Sequence, residues 1–324
     1  MKALVCREFG PIDALAVLDV PDPVPGPGQV LVRVSAAGVN FPDALIVQGK
    51  YQYRPPLPFV PGVEAAGTVT AVGEGVQHVR PGDPVVAVCG LGAFAESVVA
   101  AADSVLPLPP GLDVEHAAAL PLTYGTVYHA LLDRAHLRQG ETLLVLGAGG
   151  GIGIAAVELG KLMGATVIAA ASSQEKLQAA ADRGADHLVN YAEEDLRARL
   201  REITRGGGVD VVCDPVGGPH AEAALRSTGW NGRYLVVGFA AGTIPQIALN
   251  IPLLKGSAVV GVFWGEFRRR EPQRAREELE RLIEWAWEDR LRPLITARHA
   301  LIDGREALYA LLERRATGKQ ILRP

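Results

Sequence analysis

Leu143-Leu144-Val145-Leu146-Gly147-Ala148-Gly149-Gly150-Gly151-Ile152-Gly153 is the stretch that decides the fold. Apolar residues suited to a buried strand run into a glycine-rich turn and then into an apolar helical pattern. Glycines let backbone N–H groups approach a pyrophosphate, and the following helix N-terminus adds about half a positive charge. The strict G-x-G-x-x-G spacing is not met, because Ile152 occupies the third glycine slot counted from Gly147. The spacing that works is Gly147, Gly150 and Gly153. Alone such a motif is weak; its surroundings give it weight.

Moving toward the C-terminus, residues 152–163 form a helical pattern with Ile152, Ala155, Ala156, Leu159, Leu162 and Met163 on one face and Gly164 as its stop. Strand and helix patterns then alternate: strands at 166–171, 187–189, 210–213, 234–238 and 258–263, helices at 175–183, 194–204 and 221–227. With residues 143–146 this makes six strands. The alternation predicts an α/β Rossmann domain with a doubly wound parallel six-stranded sheet. The end of its second strand, Ala170-Ala171-Ser172-Ser173-Gln174-Glu175-Lys176, bears on which dinucleotide fits. An Asp or Glu there would accept a ribose 2′-OH, but none stands at the strand end, and Glu175 falls in the helix start. Two hydroxyls and a lysine donate to a 2′-phosphate, which favours NADPH.

Before residue 120 the texture is β-rich, with apolar stretches at 29–34, 66–72 and 84–88 separated by Pro/Gly turns. That pattern suits an irregular antiparallel barrel or sandwich. After the six strands, residues 273–287 form an amphipathic helix with Leu279, Leu282, Ile283, Ala286 and Trp287 inward, and residues 305–314 another. A chain of 324 residues exceeds what one core usually supports. Its net charge of −4 leaves no electrostatic footprint for nucleic acid or an anionic membrane, and Arg268-Arg269-Arg270 reads as solvated surface. No apolar run approaches ~18 residues, and the N-terminus lacks a signal-peptide core. Three scattered cysteines suggest reduced thiols and a cytoplasmic location, with Cys213 a buried structural thiol. The seven histidines form no HxxxH or Cys/His cluster, so a zinc site is not expected.

Five motifs together carry a family resemblance: Ala37-Gly38-Val39-Asn40-Phe41-Pro42-Asp43, Pro61-Gly62-Val63-Glu64-Ala65-Ala66-Gly67, the glycine turn, Asp214-Pro215-Val216-Gly217, and Val237-Gly238-Phe239. Almost the whole chain resembles the medium-chain dehydrogenase/reductase superfamily, and within it the zinc-independent quinone oxidoreductases, the group of zeta-crystallin. The resemblance implies a GroES-like β-rich catalytic domain made from residues 1–119 and 291–324, with the Rossmann domain over 120–290. Zinc-dependent alcohol dehydrogenases are also similar, but place a cysteine where Asn40 stands and a histidine where Val63 stands. Neither residue offers a thiolate or imidazole, and the four-cysteine lobe is missing around residues 89–105. The expected acceptor therefore takes hydride without a Lewis acid: a quinone or an electron-poor C=C bond.

The resemblance also implies site residues. Asn40 and Asp43 would line the nicotinamide ribose region, with Thr126 and Tyr128 flanking the nicotinamide. Gly150, Gly151, Ile152 and Gly153 would hold the pyrophosphate, and Ser172, Ser173, Lys176 and Tyr191 the adenosine-phosphate end. Phe239, Ala240 and Phe263 follow later strands at the carboxyl edge, and Arg315 would reach the 2′-phosphate. Asn40, Asp43 and Tyr51 are the candidate catalytic residues, Tyr51 as a weak proton donor. Plainer readings stand beside these: Lys176 as a solvated helix lysine, Tyr191 as a strand-end aromatic, Arg315 as charged surface, and Phe263-Trp264 as core packing. The implied activity is NADPH-dependent quinone reduction by hydride transfer from nicotinamide C4, without metal. The alternatives are reduction of enones, alkenals or enoyl-CoA, and non-catalytic NADPH binding. The family is usually homodimeric, and residues 258–262 suit continuing a sheet across a two-fold axis, as they equally suit a buried strand.

Overall fold

Apolar bursts beyond the glycine turn become one parallel sheet in the computed structural model, which describes residues 1–324. Its spatial order is His187–Asn190, Thr166–Ala171, Thr142–Leu146, Val209–Asp214, Thr228–Val236 and Ala258–Gly261, every neighbouring pair parallel. The chain enters at Thr142–Leu146, winds to one side, returns, and winds to the other. This is the doubly wound arrangement. The central strands read as unbroken apolar runs because helices cover both faces, so Leu143, Leu144 and Val145 are fully buried. Helices Gly151–Leu162, Gln174–Ala181, Leu196–Ile203 and Ala221–Arg226 supply the crossovers. The last strand differs from a buried one. Ala258–Gly261 is an edge, with Val259 45% exposed, and Phe263 lies beyond it at the N-cap of helix Trp264–Arg270.

Strands from residues 29–107 and from the C-terminal segment 295–323 join in a second sheet, while Lys2–Val5 and Ala16–Asp19 form a separate two-stranded one. Strand Gln29–Val39 pairs with Glu64–Val72 and Ser97–Ala101, and extends past the expected end at residue 34 to place Asn40 just beyond its tip. Pro84–Val88 and Val105–Pro107 continue the sheet on one side. On the other, Lys319–Arg323 pairs antiparallel with Gln29–Val39, setting Gln320 opposite Val39 and Leu322 opposite Ala37. Val30, Val32, Val34, Val39, Phe94 and Leu322 belong to one buried cluster beneath it.

Contacts divide the chain into Met1–Leu122 with Pro272–Pro324, and Thr123–Glu271. Helix Pro272–Trp287 thus falls with the first unit, whereas the sequence boundary at residue 290 puts it with the Rossmann domain. Arg276 explains the attachment, donating to the carbonyls of Asp103 (3.1 Å) and Val105 (3.3 Å). Leu279, Leu282, Ile283 and Ala286 are buried as the periodicity predicts. Trp287, expected inward, is 56% exposed, and its indole N–H donates to the Pro110 carbonyl.

Candidate functional site

In the first unit a polar cluster is built where the strand Gln29–Val39 turns into the helix Phe41–Val47. Asn40 caps that helix with extended backbone. Asp43 sits three residues on, and its Oδ2 accepts the Asn40 N–H at 2.8 Å, one half of a capping box. This explains the three-residue spacing. Asp43 has no exposed surface, and burial pushes its carboxyl up to about 7. The Asn40 N–H and the Lys319 charge oppose that rise, and Glu64 adds to it. Oδ1 of Asp43 lacks a hydrogen-bond partner; the Gly62 amide is near enough to favour its charge but outside bonding geometry. Half-buried Tyr51 is close enough to feel Asp43: burial first, then that charge, pushes its phenol above the ordinary range.

The Asn40 carboxamide is held at both ends. Nδ2 donates to Glu64 Oε1 at 2.7 Å and to the Gly38 carbonyl at 3.2 Å. Oδ1 accepts from Lys319 Nζ at 2.6 Å. Lys319 also donates to Glu64 Oε1 at 2.8 Å, and Glu64 Oε2 accepts the Leu122 N–H at 2.7 Å. Glu64 is fully buried and Lys319 3% exposed, so the ion pair lies inside the protein. Gly38 makes room for it, since a Cβ there would fall 2.2 Å from Glu64 Oε1 and 2.7 Å from the Ala118 carbonyl.

In the second unit the glycine turn is shaped by contact. A Cβ on Gly147 would meet Val216 Cγ2 at 2.6 Å, one on Gly149 would meet Lys176 Cβ at 2.5 Å, and one on Gly153 would meet the Gly147 carbonyl at 2.2 Å. Gly150 is different: its nearest neighbour would be the Gly147 carbonyl at 3.5 Å. Three glycines therefore pack the turn, and Gly150 borders open space at the start of helix Gly151–Leu162. Buried Asp214 fixes the neighbouring turn by accepting the N–H groups of Val216 (2.7 Å) and Gly217 (2.8 Å) and the Tyr234 hydroxyl.

Several predicted residues gather at this carboxyl edge. The Lys176 stem lies along Gly149; Ser173 caps its helix, its hydroxyl accepting the Lys176 N–H at 3.4 Å; Ser172 is exposed. The Tyr191 N–H donates to the Ala171 carbonyl at 3.1 Å, and its ring leans on His220 at 4.3 Å. Gly151 and Ile152 are half-buried at the helix start. Phe239 is 37% exposed against Gly217, and the Ala240 N–H donates to the Pro215 carbonyl at 3.1 Å. Thr126 and Tyr128 are half-buried on helix Pro121–Tyr128. Trp264 packs on Gly125 as core, while Phe263 is exposed, so these neighbours part company. Arg315 belongs to the first unit, where it pairs with Glu306 at 3.0 Å and Glu313 at 2.7 Å. Glu64 and Lys319 are absent from the sequence-predicted site. Glu64 carries one faint signal, a lone charge in the strand Glu64–Val72, whereas Lys319 shares its short strand with Gln320 and Arg323 and carries none.

Comparison with known proteins follows both units. Residues 26–110 match the family described as "Alcohol dehydrogenase GroES-like domain", and residues 151–287 the one described as "Zinc-binding dehydrogenase". A Nematostella vectensis protein named "Quinone oxidoreductase-like protein 2 homolog" is 39% identical over 99% of this chain and 88% of its own. The Escherichia coli quinone oxidoreductase solved in complex with NADPH superposes with a TM-score of 0.92 at 31% identity, covering all of both chains. A structure described as an NAD-dependent alcohol dehydrogenase is similar too, with a TM-score of 0.90 at 32% identity over all of both chains.

Proposed function

We propose, from the fact that the chain belongs to the medium-chain dehydrogenase/reductase superfamily, that this oxidoreductase reduces quinones with NADPH and without a metal. The observation that carries the reading is the Lys319 ammonium, seated on both Asn40 Oδ1 and Glu64 Oε1. A second cation beside these oxygens would meet like-charge repulsion in a poorly screened interior. The remaining groups do not fit zinc either, because Asn40 and Val63 offer no thiolate or imidazole. Without a Lewis acid an alkoxide product goes unstabilised, so acceptors that delocalise the incoming charge are favoured; quinones do this best.

NADPH, when bound, supplies hydride from nicotinamide C4. The open space at Gly150 and the N–H groups at the start of helix Gly151–Leu162 suit its pyrophosphate. Ser172, Ser173 and Lys176 donate to the 2′-phosphate, and Tyr191 offers an aromatic face nearby. Asn40 and Asp43 form the catalytic turn of the first unit, and Tyr51 keeps its proton at neutral pH, ready to donate it to the reduced acceptor. Replacing Lys176 with Glu is expected to raise the KM for NADPH at least about tenfold with little change in that for quinone, since each 1.4 kcal/mol of lost binding is tenfold. Steady-state kinetics check this. An unchanged KM removes the lysine from the site.

A further inference from the structure

We infer that Lys319 and Glu64 are positioning residues, a buried ion pair that sets which way the Asn40 carboxamide points. An asparagine side chain is nearly symmetric in shape, and only its partners decide where oxygen and nitrogen lie. Lys319 has donors only, so it must face Oδ1; Glu64 and the Gly38 carbonyl have acceptors only, so they must face Nδ2. The flipped amide would set N–H against ammonium and carbonyl against carboxylate, leaving buried groups unpaired.

A chemical consequence follows. Both Nδ2 hydrogens are consumed inside the protein, at 2.7 Å to Glu64 and 3.2 Å to Gly38. The carboxamide therefore has no N–H left to offer a ligand, and toward one it can act only as an acceptor through Oδ1. The Lys319 charge sits 2.6 Å from that oxygen and holds it in place. The pair also closes the loop between chain ends, since Lys319 comes from the C-terminal strand that pairs beside Val39.

The spectroscopic test needs no turnover, whereas its kinetic arm rests on the reduction proposed above. The chain has four asparagines, Asn40, Asn190, Asn231 and Asn250, so asparagine-selective 15N labelling gives four side-chain NH2 pairs, and Asn40→Asp identifies one by its loss. In the wild type the Asn40 pair should exchange with solvent far more slowly than those of exposed Asn231 and Asn250. Equally fast exchange overturns the inference without any variant. Replacing both charges together, Lys319→Met with Glu64→Gln, avoids an unpaired buried ion. That variant should keep its melting temperature near wild type, lose the slow exchange of the Asn40 pair, and drop kcat about tenfold to a hundredfold with the KM for quinone little changed. A folded double variant with the Asn40 pair unmoved would overturn the assignment. If the pair moves while no acceptor is turned over even by the wild type, the positioning role stands and the proposed reaction falls.

Discussion

Asp43 carries a charge decision at neutral pH. Its carboxyl is fully buried, and burial raises it from the ordinary carboxylate value of 3.8 to about 7. The folded state then holds the proton more tightly than the unfolded chain. Stability from this group is therefore complete below the unfolded value and is lost as pH rises toward about 7. Asp43→Asn keeps an acceptor for the Asn40 N–H but cannot ionise. Its melting temperature relative to wild type should rise between about pH 4 and about pH 8 and then level off. Thermal denaturation of both proteins across that range checks it, and a constant difference would mean that Asp43 titrates normally. At this scale Asn40 and Asp43 are reached from the sequence through the family resemblance, and the structure shows their three-residue spacing to be a helix-cap relation. Glu64 and Lys319 stay hidden, because their pairing spans 255 residues and no local pattern encodes it.

Among the elements, the turn from Thr142–Leu146 into Gly151–Leu162 separates fold from binding. Gly153 has no room for a methyl group, while Gly150 has backbone angles open to alanine (φ −81°) and a clear surround. Gly153→Ala should therefore cost about 1–3 kcal/mol of stability through overpacking. Gly150→Ala should leave the melting temperature unchanged and weaken NADPH binding, because its methyl enters the space assigned to the pyrophosphate. Denaturant titration and isothermal calorimetry separate the two, and equal losses of stability would contradict the division. The strands and helices after residue 120 are legible in sequence because a sheet covered on both faces needs short apolar runs between amphipathic helices. Which glycines pack and which border open space is not legible. That depends on Val216 and Lys176, brought to the turn by other strands.

Across the whole molecule, the return of the C-terminal strand to the N-terminal sheet is the feature that local pattern cannot supply. A short apolar run looks alike whichever sheet it joins, and the family resemblance alone anticipates it. The edge strand Ala258–Gly261 has a further expected use. It is unpaired on one side, and Trp230 (74% exposed) and Leu253 (78%) add apolar surface in the same unit. Such an edge suits antiparallel pairing with a second copy. Light scattering should find a dimer, and Val259→Asp should shift it toward monomer; a wild-type monomer at micromolar concentration would contradict this reading. Metal-free NADPH-dependent quinone reduction is checked by following NADPH oxidation in the presence of a chelator, with p-benzoquinone, phenanthrenequinone, crotonaldehyde and crotonyl-CoA as acceptors and NADH as the competing donor. The quinones should be turned over with NADPH, more weakly with NADH, and with full activity after metal removal. Activity that follows added zinc, or that prefers NADH or an alkene acceptor, would contradict it.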